Sequence, residues 1–210
     1  MKSQYDPPFI LKQIFPDFQW DSRVDKILLT FDDGPVSGIT DNILMKLNDF
    51  NIKAAFFCVG NNILKNSSLA SEILKEGHII GNHTFNHSKL TVPGFDDYAE
   101  IDRFNELAKE KLGYEVKYFR PPHGRFNLST GKLLKKKKLT NVMWSLLTYD
   151  FRGNPSLIKY SVVRYLKKNS IIVLHDSLRS RDIILDSISF IADEVSGKGF
   201  RFGEPAECLR

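Results

Sequence analysis

Two adjacent carboxylates, Asp32 and Asp33, close the apolar run Ile27–Phe31 and are followed at once by Gly34-Pro35. A short apolar run ended by a breaker reads as a buried strand. The carboxylates then sit where that strand leaves the core. Two like charges side by side at a core edge are costly unless something pairs with them. A cation would neutralise one and leave the other free to accept a proton. The competing reading is a surface turn built on Asp-Gly-Pro. A second acidic pair, Asp96-Asp97, reads instead as the first turn of a helix.

His83 and His87 stand four apart, a spacing that puts two rings on one side of a helical turn. Two imidazoles and a carboxylate suit zinc, iron(II), cobalt or manganese and leave positions open for water and substrate. Two unrelated surface histidines are the plainer alternative. Arg120 precedes Pro121-Pro122, which holds it extended. The prolines carry no N–H, so the next backbone donor is His123, and a rigid turn offering one N–H suits an oxyanion. A structural ion pair would equally explain Arg120. His175 follows Ile171-Ile172-Val173-Leu174 without a gap. Asp150 as its partner would fix the tautomer and favour the protonated ring. Asp176 is the rival by adjacency, but neighbours along a strand point opposite ways, which favours Asp150.

These residues fall at the ends of a repeating strand–helix pattern. Strands are expected at 26–31, 53–60, 78–82, 116–120, 141–147 and 170–174, with a short one at 199–202. Helices are expected from Thr40 or Asp41, from Ser67 or Ser68, and at 96–112, 128–138, 155–168 and 182–195. The alternation implies a parallel sheet covered by helices, either a closed barrel or an open sheet. In such architectures the carboxyl ends of the strands meet at one rim, where sites form. Residues 1–25 read as an N-terminal arm with extended pieces at 9–11 and 18–20, and 26–210 as one domain. The run Lys135–Lys138 reads as a solvated helix face.

The totals exclude several classes. At 210 residues, 42% hydrophobic and 26% charged, the chain suits one globular domain. A net charge of +5, with no arginine-interleaved aromatic platform, does not single out nucleic acid as a partner. The two cysteines, Cys58 and Cys208, form no disulfide framework or zinc motif. No stretch approaches a membrane span, and prolines at 7, 8 and 16 interrupt any leader-like core. The expectation is a cytoplasmic protein, or an extracytoplasmic one if a leader has been trimmed away. Nothing in the sequence sets the oligomeric state.

Taken together, Thr30-Phe31-Asp32-Asp33-Gly34-Pro35, His83-Thr84-Phe85-Asn86-His87, Arg120-Pro121-Pro122-His123-Gly124, Asp150-Phe151 and Val173-Leu174-His175 resemble, in order, the motifs of polysaccharide deacetylases of the NodB-homology family. The resemblance covers about residues 26–205. It implies a distorted (β/α) barrel of about seven parallel strands with outer helices. It also implies metal-dependent removal of N-acetyl groups from amino-sugar oligomers or polymers such as chitooligosaccharide or peptidoglycan. Asp33, His83 and His87 would bind the metal: zinc in the first instance, with cobalt, iron(II), manganese or nickel as alternatives. Asp32 would be the general base, oriented by Arg120, and His175 the general acid, tuned by Asp150. The His123 N–H would face the oxyanion. Val173 and Leu174 would lie near the acetyl pocket, with Phe151 and Pro122 among the substrate-binding residues. The family usually has Tyr at the place of His123, Trp at that of Phe151, and often Asp at that of Leu147. The alternatives are a metal-dependent amidohydrolase of small amides and a non-catalytic glycan-binding module.

Overall fold

The computed structural model describes residues 5–90 and 95–209. Its strands are β1 (Leu28–Asp33), β2 (Ala54–Cys58), β3 (Ile79–Asn82), β4 (Tyr118–Phe119), β5 (Thr140–Asn141), β6 (Leu146–Leu147) and β7 (Ile171–His175). They form one seven-stranded sheet in the order β5-β4-β3-β2-β1-β7-β6, with every pairing parallel. The sheet curls into a half-barrel, so the architecture is a distorted (β/α) barrel. The connecting helices are α2 (Thr40–Asp49), α3 (Gly60–Lys65), α4 (Ser67–Lys75), α5 (Phe95–Leu112), α6 (Thr130–Lys136), α7 (Pro155–Tyr165) and α8 (Ile184–Gly197). Helix α1 (Phe9–Ile14) precedes the sheet and α9 (Pro205–Cys208) follows it. No helix among the described residues is long and apolar enough to cross a membrane.

The period of two along each strand sorts the core into two layers. Leu29, Phe31, Phe56, Ile172 and Leu174 pack outward against Ile43, Leu47 and Ile188 of the helices. Leu28, Ala55, Phe57 and Ile171 point inward and meet Cys208 and Leu209, which plug the barrel at the amino ends of the strands. Strands buried on both faces read as unbroken apolar runs, which is why β1, β2 and β7 stand out in the sequence. Gly81 is the exception that packing demands. A Cβ there would lie 2.4 Å from the Phe57 ring.

Three local expectations need correction. Residues 9–11 are helical, within α1, and only Leu11 of that helix packs on the aromatic cluster around Phe18, Trp20 and Met143. The expected strand at 141–147 is two short pieces, β5 and β6. Between them the carbonyls of Val142 and Met143 accept from the Arg120 guanidinium at 2.9 and 2.8 Å. Helices α3 and α9 were not expected. The extended piece at 18–20 is present, with Gln19 bridged to Val142 in parallel. Residues 1–4 of the arm lie outside the described residues.

Candidate active site

The inward-facing residues Thr30 and Asp32 of β1 meet Arg120, which enters from the segment after β4. Arg120 is fully buried and its guanidinium makes four hydrogen bonds. Nη1 donates to Asp32 Oδ1 at 2.7 Å and Thr30 Oγ1 at 2.8 Å, and the other two go to the Val142 and Met143 carbonyls. Its carbon Cζ lies 4.1 Å from the Phe57 ring centre. Burial pulls the guanidinium pKa down, against the opposing pull of Asp32. A buried charge is tolerated only when paired and bonded, and this one is both. The family's frequent Asp at position 147 is therefore not needed to anchor it here.

Asp33 would face away from Asp32 in a regular strand. Its φ of 88° breaks the alternation, and its carboxylate turns to the same rim. Asp33 Oδ1 lies 3.2 Å from His87 Nε2 and 3.7 Å from His83 Nε2. One donor atom from each of Asp33, His83 and His87 lies within 4.8 Å of the others. His83 Nδ1–H donates to the Arg120 carbonyl at 2.7 Å, which leaves Nε2 bare and aimed at Asp33. That is the arrangement of a metal-binding imidazole with its outer bond in place. Two imidazoles and a carboxylate are a donor set that fits a divalent cation. Burial draws the His83 pKa down to about 4, against the pull of Asp32 and Asp33, so the ring is in its neutral, ligating form. Burial pushes the Asp33 carboxyl upward. The bond from His87 and the fields of His175, His83 and His87 outweigh it and hold the carboxyl below its usual range.

The two histidines do not share a helical turn. They sit on a bent loop after β3, with positive φ at Thr84 (65°) and His87 (60°). Asn82 Oδ1 accepts the Thr84 N–H at 2.7 Å, and Thr84 Oγ1 accepts the Ser88 N–H at 2.9 Å. The turn at 122–124 presents His123 with φ 58°, its ring 4.6 Å from that of His87. Burial, and then His87 and Lys89, lower the His123 pKa. Pro122 is buried beside it.

Across the rim, Asp150 binds His175 twice. Oδ2 accepts the His175 backbone N–H at 2.7 Å, and Oδ1 lies 2.8 Å from ring Nδ1. Burial would lower the His175 pKa, but the charge and bond of Asp150, with Asp32 and Asp33 behind them, push it up to about 9. The Phe151 ring stands edge-on to the His175 ring at 5.0 Å. Val173, two residues before His175, shares its face of β7. Leu174 does not: it points the other way into the outer layer, fully buried, so the structure does not bring it to the rim. Asp176 turns away from His175 altogether.

Sequence reading missed Thr30, Thr148 and Asn62. Thr148 Oγ1 lies 3.0 Å from Asp150 Oδ1, and Asn62 Nδ2 donates to the Asp33 carbonyl at 2.7 Å. Thr30 alone carried a signal, because it lies two residues before Asp32 on the same face.

Fold and rim together define a (β/α)-barrel protein with a carboxylate–imidazole cluster at the end where barrel enzymes do their chemistry. Residues 21–142 match the model of the family described as Polysaccharide deacetylase. The chain is 35% identical over 189 residues to a Bacillus cereus peptidoglycan-N-acetylglucosamine deacetylase, covering 88% of each. It is 33% identical over 180 residues to a second enzyme of that name from the same organism, covering 84% of this chain and 66% of the relative's length. The Bc1960 peptidoglycan N-acetylglucosamine deacetylase superposes with a TM-score of 0.88 at 29% identity, over 97% of both chains. The chain belongs to the polysaccharide deacetylase family.

Proposed function

We propose that this protein is a metal-dependent hydrolase that removes N-acetyl groups from N-acetylglucosamine-containing glycans, with peptidoglycan and chitin-type oligomers as the substrates to test first. One observation carries the reading: the clustered donor atoms of Asp33, His83 and His87, the Asp32–Arg120 pair and the His175–Asp150 pair face one another across a single rim. The peptidoglycan deacetylases among its relatives support the choice of glycan.

Asp33, His83 and His87 would hold a divalent cation, zinc in the first instance. Such a cation polarises an amide carbonyl and brings the pKa of a water from 15.7 toward about 7. Asp32, fixed by Arg120, would take the proton of the attacking water. The His123 N–H would donate to the oxygen that gains charge, a contribution worth about 3 kcal/mol for one such donor. His175 would pass its proton from Nε2 to the amine nitrogen as the carbon–nitrogen bond breaks. Its Nδ1 stays bonded to Asp150, so the departing proton is replaced without reorienting the ring. Acetate and a free amino sugar result. Val173, Phe151 and Pro122 would supply apolar wall around the acetyl methyl.

The test is acetate release from chitin oligomers, peptidoglycan fragments, acetylated xylan and small amides, with and without chelator. Release from the amino-sugar substrates that is lost on chelation and restored by metal fits this reading. Activity confined to small amides, or saturable glycan binding without acetate, replaces it.

A further inference from the structure

Asp176 is left without a role by the chemistry above, yet it is 1% exposed and bonded on both oxygens. Oδ1 accepts the Gly34 N–H at 2.8 Å, and Thr40 Oγ1–H donates to Oδ2 at 2.7 Å. Thr40 Oγ1 in turn accepts the Val36 N–H at 2.8 Å. The Asp176 backbone N–H donates to the Asp32 carbonyl at 3.1 Å. These bonds grip the turn after β1 on both sides of Asp33, the residue whose φ of 88° is unfavourable for any side chain with a Cβ. Asp176 also occupies the space that Gly34 leaves open. A Cβ on Gly34 would fall 1.7 Å from Asp176 Oδ2.

We propose that Asp176 is a positioning residue. Through Gly34 and Thr40 it holds the Asp33 turn in the conformation that keeps the Asp33 carboxylate against His83 and His87, and so sets their affinity for a divalent cation. The inference rests on reading Asp33, His83 and His87 as metal ligands. It ties two ends of the site together, because β7 carries His175 on its inner face and the clamp for the β1 turn on the next residue.

The test is the zinc dissociation constant, measured by competition with a chromogenic chelator. Parent, Asp176→Ala, Thr40→Val and Thr40→Ser proteins are compared, with the melting temperature of each metal-free protein as the control for folding. Asp176→Ala and Thr40→Val should bind zinc roughly 10- to 100-fold more weakly, the usual cost of removing an outer-shell partner. Thr40→Ser keeps the hydroxyl and should bind like the parent. Thr40→Val leaves Asp176 in place and is close to isosteric, so it reads out the network even if Asp176→Ala does not fold. Parent-like affinity in folded Thr40→Val or Asp176→Ala overturns the proposal while leaving the metal site standing. A parent protein that binds no zinc overturns both.

Discussion

Replacing Asp150 with Asn isolates the proton donor. The carboxamide keeps the shape and can still accept the His175 backbone N–H, now 2.7 Å from an Asp150 oxygen. What it removes is the charge 2.8 Å from ring Nδ1. Against burial, that charge and its bond are the largest of the pulls, with Asp32 and Asp33 behind them, that lift His175 from 6.5 to about 9. Without them burial is opposed only by the fields of Asp32 and Asp33, so the ring's pKa should fall. Each unit by which it falls below the assay pH costs about tenfold in the protonated fraction, so kcat at pH 7.5 should drop on that ground alone. The basic limb of the kcat profile should move to lower pH than in the parent. Stability should follow the same sign. A raised folded-state pKa contributes stability that is fully present below 6.5 and lost as pH rises through about 9, and this slope should shrink in the variant. The assay is acetate release from pH 5.5 to 10, beside an NMR titration of the His175 ring. A basic limb that stays where the parent's lies in Asp150→Asn, or a ring that titrates unchanged, would refute the reasoning.

Three further outcomes are expected. Asp32→Asn should retain one metal per chain by elemental analysis while losing about 10²- to 10⁴-fold in kcat, the range for removing a general base. Arg120→Met leaves the Asp32 carboxylate buried without its partner and should cost about 3–5 kcal/mol in urea denaturation. Asn141, 3% exposed, has neither side-chain polar atom bonded among the described residues, so Asn141→Leu should raise the unfolding free energy by about 1 kcal/mol, read as a higher denaturation midpoint at unchanged slope.

The sequence exposed what short-range periodicity encodes and hid what distant side chains impose. β1, β2 and β7 were legible because both their faces are apolar. The same period of two correctly gave His175 to Asp150 rather than Asp176. Applied one residue earlier, it would also have set Leu174 apart from Val173. It fails at Asp33, where a positive φ turns two neighbours to one rim. His83 and His87 do come together, but not as their spacing suggests: a spacing of four mimics a helix, whereas Asn82 and Thr84 bend a loop to bring them together. The break between β5 and β6 had no local signature, because its cause is a guanidinium more than twenty residues upstream. Helix α1, six residues long with one inward side chain, is too short to show a helical period.

The central claim is that Asp33, His83 and His87 hold one cation at the mouth of the barrel. Anomalous diffraction at the zinc edge, from crystals grown with zinc, tests it without reference to activity. A single strong peak is expected about 2.0–2.2 Å from Asp33 Oδ1 and from Nε2 of both His83 and His87. No peak there, or imidazoles turned away from a peak elsewhere, would contradict it.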